Sequence, residues 1–185
     1  MDVIRSIHMT REEEAQFLKA VPHDYFEQDQ LHVLLLNRHE DMKEIKDQLA
    51  AFLPFVSTWA LTDSLTLPKV KDHTLLAAAA NCLQSPHSYT RRLGILWIMK
   101  RGIKRQDAAF WLDAALQTPG IEKEIILAKG WLLCEYMIHC PHIARERLQD
   151  DSLEKLVLCQ AIRKCLDSRR ISSQDKQVLK QLRTR

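Results

Sequence analysis

Apolar residues recur along this chain at the period of an α-helix, and most breaks in the pattern carry a residue that starts or stops one. Thr10 and Glu13 stand at capping-box spacing ahead of a helix over 11–21. The stretch DQLHVLLLNR over 29–38 is apolar on most of its surface, as a buried helix is. In 40–53 the apolar positions Met42, Ile45, Leu49, Phe52 and Leu53 share one face, and Pro54 ends the run. A short helix is predicted over 58–65, before Pro68, and another over 72–84. Further helices follow over 88–103, with Ser88 as N-cap, and over 106–116, ending near Pro119 and Gly120. Pro141 stops a long helix over 122–140. Two more are predicted over 152–168 and 172–184, the last with Ser172 and Asp175 at capping spacing.

The pattern is therefore all-α, about ten helices joined by short connectors, and no linker divides 1–185 into separate domains. Helix pairs recur at roughly 40 residues, the period of HEAT-type repeats. One such pair cannot bury its apolar face alone, so neighbours are expected to stack into a superhelix, an α-solenoid with a concave surface. A helix bundle is the competing architecture, and ten helices of modest length suit a solenoid better.

Composition narrows the function classes. The chain has only four glycines, at 94, 102, 120 and 130, and six prolines. Sheets and Gly-rich phosphate loops need more turn residues than that, and neither GxGxxG nor a Walker motif is present. No apolar run is long enough to span a bilayer and residues 1–15 hold no apolar signal core, so neither a membrane partner nor a secretory signal is expected. Five cysteines, at 82, 134, 140, 159 and 165, include no CxxC pair and read as reduced, buried thiols of a cytoplasmic protein.

The net charge of +3 hides a gradient: −5 over 1–50, +1 over 51–154 and +7 over 155–185. Either an anionic partner meets the C-terminal half or the last helices carry a solvated basic face. Arg91, Arg92, Lys100, Arg101, Lys104 and Arg105 form one basic run, and Arg163, Lys164, Arg169 and Arg170 a second. Together they suit phosphates on both sides of a site, with Tyr89 adding a hydrogen bond or a stacking surface. Each is equally read as an ordinary surface charge.

The candidate chemistry starts at Trp59 and Asp63. Four residues on a helix is about 400°, so both side chains leave one face, one turn apart. An indole beside a carboxylate is a platform for a sugar or base next to an anion that stabilises a developing cation. By composition alone Trp59, Trp97, Trp111 and Trp131 all read as core, and Asp63 as a surface acid or helix-end cap. Glu135, one turn beyond Trp131, suits either a supporting role there or an ion pair with a neighbouring helix. Lys129 is about 200° round from Trp131 and should point away from it, which argues against a Schiff-base lysine. Cys134, His139, Cys140 and His142 match no zinc spacing and form no supported cysteine–histidine nucleophile pair, so no metal is expected.

Four segments resemble the AlkD-like DNA alkylation repair glycosylases, a family built from HEAT-like helix pairs. They are PHDYFEQDQLHVLLL (22–36), LPFVSTWALTDSL (53–65), SPHSYTRRLGILWIMK (85–100) and GWLLCEYMIHCP (130–141). The terminal QAIRKCLDSRRISSQDKQVLKQLR (160–183) is similar as well, so the likeness covers nearly the whole chain. It implies a monofunctional hydrolase of base excision repair, without a cofactor, that cleaves the N-glycosidic bond of cationic N3- or N7-alkylated purines in double-stranded DNA. It implies Trp59, Asp63 and Trp131 as the catalytic residues on the concave face and Arg92 on the DNA backbone. It further implies a cytoplasmic protein, held at the nucleoid when bound to DNA.

Two departures from the family pattern stand out. MDVIRSIHM over 1–9 reads as the inside of a helix, as if the first helix pair were trimmed, which would expose an apolar end through which an otherwise monomeric protein self-associates. Ile126 and Leu127 stand where the family pattern carries basic residues. Two alternatives to the enzyme stay open: a catalytically silent DNA-binding member of the same fold, and a helical-repeat scaffold for protein partners.

Overall fold

The computed structural model describes residues 9–182. The reading of residues 1–9 as a trimmed helix falls, but for Met9, outside the described residues, as do the last three residues of the chain. Among the described residues the fold is all-α, with eleven helices and one 3-10 turn. They are α1 (Arg11–Lys19), α2 (Phe26–Leu36), α3 (Met42–Phe52), α4 (Trp59–Ser64), α5 (Asp72–Leu83) and α6 (Ser88–Arg101). Then come α7 (Ala108–Leu116), α8 (Lys123–His139), α9 (Pro141–Gln149), α10 (Lys155–Asp167) and α11 (Ser173–Leu182).

The local start signals hold where both partners lie within one turn. Thr10 and Glu13 form the expected capping box, with bonds of 2.7 and 3.2 Å. The Asp175 amide donates to Ser172 Oγ at 3.1 Å ahead of α11. Two expectations are corrected. Ser88 is the first residue of α6, not its cap, and its hydroxyl donates to Glu124. Pro141 ends one helix and opens another, because at the first position of α9 a missing N–H costs nothing and the fixed φ suits a helix.

The chain divides into two compact units, Met1–Ala77 and Ala78–Arg185, and the boundary falls within α5. In the first unit α1 packs on α2 and α3, and α2 packs on α4. Val33, Leu35 and Leu36 of α2, Ile45 and Phe52 of α3, Leu61 of α4, and then Leu65 and Leu67 form its core. His32 is buried with them. Its ring stacks on Phe52 at 4.0 Å, and its Nδ1 lies 2.9 Å from His23 Nε2. Burial, assisted by His23, pushes the His32 pKa down to about 3.

In the second unit α6, α8 and α10 lie side by side. The helix α7 packs on α6 and α8, α9 on α8, and α11 on α10, the stacking of a helical repeat. Residues 90–99 of α6 are all buried, as expected of a helix enclosed on every side. Close approach depends on Gly130 in α8: a Cβ there would lie 2.5 Å from Gln160 Cγ and 3.1 Å from the Ala161 backbone nitrogen of α10. Trp97 is core, as expected. Trp111 is only partly buried, and its indole N–H donates to Asp107 at 3.1 Å. All five cysteines are free, but only Cys82, Cys134 and Cys165 are buried, and Cys159 is exposed. No helix among the described residues is long and apolar enough to cross a membrane.

Candidate active site

In the first unit the site residues sit on α4, a helix of six residues entered from an extended Thr58 whose side chain makes no capping bond. Leu61 and Thr62 point inward and are buried, which turns Trp59 and Asp63 outward by helical periodicity. Trp59 is 64% exposed, so its reading as core does not hold. Asp63 is partly buried, and the Thr62 hydroxyl, which donates to the Trp59 carbonyl at 2.9 Å, lies 3.4 Å from its Oδ1. The end of α4 is gripped by Asn37, the residue that follows α2. Its Nδ2 donates to the Ser64 carbonyl at 2.7 Å, and its Oδ1 accepts from the Thr66 and Leu67 amides at 2.9 and 2.8 Å. No sequence spacing points to Asn37, whose partners lie 27 to 30 residues further on.

In the second unit Trp131 is partly exposed on α8 and is the centre of a polar cluster. Its indole N–H reaches Glu135 one turn on, at 3.4 Å, and the Lys164 ammonium stands 6.0 Å from the ring centroid. That distance is at the outer limit of a cation–π contact. Glu135 pairs with Arg170 at 3.3 Å, and Arg170 also reaches His139 at 2.8 Å. Glu135 therefore makes an ion pair, with a partner in the turn after α10 rather than on the neighbouring helix that the sequence suggested. Trp131, Lys164 and Arg170 are thus brought together, while Arg163 and Arg169 are exposed beside them in the chain.

The basic run on α6 is of two kinds. Arg91 and Arg92 are 6% and 5% exposed. Arg91 donates to the Ser85 and Pro86 carbonyls at 2.9 Å each and pairs with Glu122, so its guanidinium holds the α5–α6 turn to the start of α8. Arg92 donates to the Glu124 carbonyl at 3.0 Å. Tyr89 and Arg101 are partly exposed, Lys100 and Lys104 are exposed, and Arg105 pairs with Asp107 at 2.7 Å. Lys129 is buried, with Glu154 Oε2 at 4.0 Å. Desolvation lowers its pKa against the opposing pull of Glu154.

Ile126 and Leu127 line a groove of about 630 Å³ between α8 and α10, with Ile121, Leu156, Gln160 and Arg163. Leu127 is one turn before Trp131, so the apolar lining leads toward the indole. Cys134 and Cys165 meet where the same two helices pack, and the hydrogen bond between them lowers the Cys134 thiol pKa. No group of three or more His, Cys, Asp or Glu among the described residues is placed to hold a metal ion.

No curated protein and no solved structure matches the chain. A protein-family model described as DNA alkylation repair enzyme matches residues 2–165, which is most of the chain and takes in both α4 and α8. The match carries a general role in DNA repair, and by it the chain belongs to the family of DNA alkylation repair enzymes.

Proposed function

We propose that this protein is a DNA glycosylase that hydrolyses the N-glycosidic bond of cationic N3- and N7-alkylpurines in duplex DNA. The observation that carries the reading is the pair on α4: a solvent-exposed indole with a carboxylate one turn away, in a chain of this family. The exposed indole leaves a π-face open to a ligand, and a carboxylate beside it suits a cationic sugar–base ligand.

The chemistry asks little of the protein. An alkylpurine that already bears a positive charge leaves as a neutral base, so no general acid is needed to protonate it. As the bond from C1′ to the base nitrogen breaks, the bonding pair goes to the base and the sugar becomes oxocarbenium-like. Asp63 stabilises that cation electrostatically and orients the water that adds to C1′, whose proton passes to solvent. Trp59 offers its π-face to the sugar or the charged base, worth about 0.5–2 kcal/mol. In the second unit Trp131 offers another aromatic face, and Lys164, Arg163, Arg169 and Arg170 are the candidate phosphate contacts, which hold DNA without reading its sequence.

The test is release of free 7-methylguanine from methylated duplex DNA, read together with alkali-labile breaks in the strand. The reading requires both free base and abasic sites. Tight, salt-sensitive DNA binding with no base release would leave the silent DNA-binding alternative. Absence of DNA binding would favour the protein scaffold.

A further inference from the structure

We infer that Asn37 is the positioning residue for the α4 carboxylate: its side-chain amide fixes the end of the helix that presents Trp59 and Asp63. The inference rests on the glycosylase reading of those two residues. A helix of six residues is far too short to be stable by itself, because nucleation is costly and few intrahelical bonds repay it. At its start Thr58 supplies no side-chain cap, and its hydroxyl is buried without a hydrogen-bond partner. Its other end carries three side-chain bonds.

There Leu65 and Leu67 are 1% and 0% exposed and anchor the chain in the core, with Leu67 at a φ of 43°. That left-handed conformation is unfavourable for leucine and persists only where the surroundings over-determine it. The three bonds from Asn37, to the Ser64 carbonyl and the Thr66 and Leu67 amides, hold the chain in that turn. Ser64 follows Asp63 directly, so the clamp acts one residue from the carboxylate. The chemistry of an amide is required, because the site needs one donor and one acceptor at the same reach. Aspartate keeps the acceptor and faces the Ser64 carbonyl with a second oxygen, unless that oxygen is protonated.

The experiment compares wild type, N37A and N37D by three readouts: single-turnover release of 7-methylguanine at saturating protein, affinity for the same duplex, and amide exchange of 59–67. Misplacement by about 1 Å is worth up to about 100-fold in rate. N37A is expected to lose about 10- to 100-fold in release, to keep its DNA affinity within about twofold, and to exchange faster in 59–67 than in α2 and α3. N37D is expected to regain part of its release relative to wild type as pH falls from about 7 to about 4, where about half of an ordinary aspartate carboxyl is protonated and can donate to Ser64 again. N37A should show no such recovery. A merely structural residue would lower release, affinity and melting temperature together, with no recovery in N37D at low pH, and that result would overturn the inference. So would unchanged release and exchange in N37A. Should N37A fail to fold, the pH profile of N37D decides by itself. A wild type that binds DNA and releases nothing would refute the glycosylase reading, and with it a catalytic role for the clamp. Exchange in 59–67 would show separately whether the clamp exists.

Discussion

Lowering the pH should destabilise the first unit through one residue, His32. Its ring is fully buried against Phe52, with its Nδ1 on His23, and its pKa is depressed to about 3. In the unfolded chain a histidine titrates near 6.5. Below that value the unfolded state binds a proton that the folded state refuses, so stability falls as pH falls. The loss begins near the unfolded pKa and continues down to the folded one. Between pH 7 and pH 5 the two values correspond to a loss of about 2 kcal/mol. The His23 ring, with its Nε2 2.9 Å from His32 Nδ1, is already part of that depression. The assay is urea denaturation followed by circular dichroism at pH 7 and pH 5, for wild type and for H32F. Phenylalanine keeps the stack on Phe52 and removes the titration. The wild type should lose about 2 kcal/mol more than H32F over this interval. Equal losses in the two proteins would refute the reasoning, because the acid sensitivity would then come from other groups.

Three further outcomes follow from particular side chains. G130A should destabilise the protein by about 1–3 kcal/mol, since the new Cβ meets Gln160 and the α10 backbone. That is the net loss after the roughly 1 kcal/mol that alanine gains over glycine in a helix, and chemical denaturation measures it. R91A should cost about 2 kcal/mol or more of stability, because it strands two carbonyls and Glu122, and it should leave the salt dependence of DNA binding unchanged. By contrast R163A and K164A should each lower the slope of log affinity against log salt by about 0.9 for every phosphate left without its cation, with little change in melting temperature.

The helical architecture was legible because its signals are local. Capping boxes, one-sided apolar periodicity and helix-stopping prolines each act within a turn or two. The helix α9 escaped notice because Pro141 reads as a stop, whereas proline at a first helical position is also a start. The site was legible in part. The shared face of Trp59 and Asp63 follows from spacing, but four tryptophans look alike in sequence, and only the fold separates the enclosed Trp97 from the exposed Trp59. Long-range partners leave no trace in local spacing. Nothing near Arg91 shows that its guanidinium is committed to Glu122, and nothing near Asn37 shows that it holds the end of α4.

The most direct measurement compares wild type and D63N for release of 7-methylguanine from methylated duplex DNA, with DNA affinity measured on the same samples. Asparagine keeps the shape of the side chain and removes the negative charge that opposes the oxocarbenium-like cation. The account predicts release by the wild type, near-complete loss in D63N, and affinities within a few-fold of each other. Equal release by both proteins, or loss of binding in step with loss of release, would contradict the role assigned to Asp63.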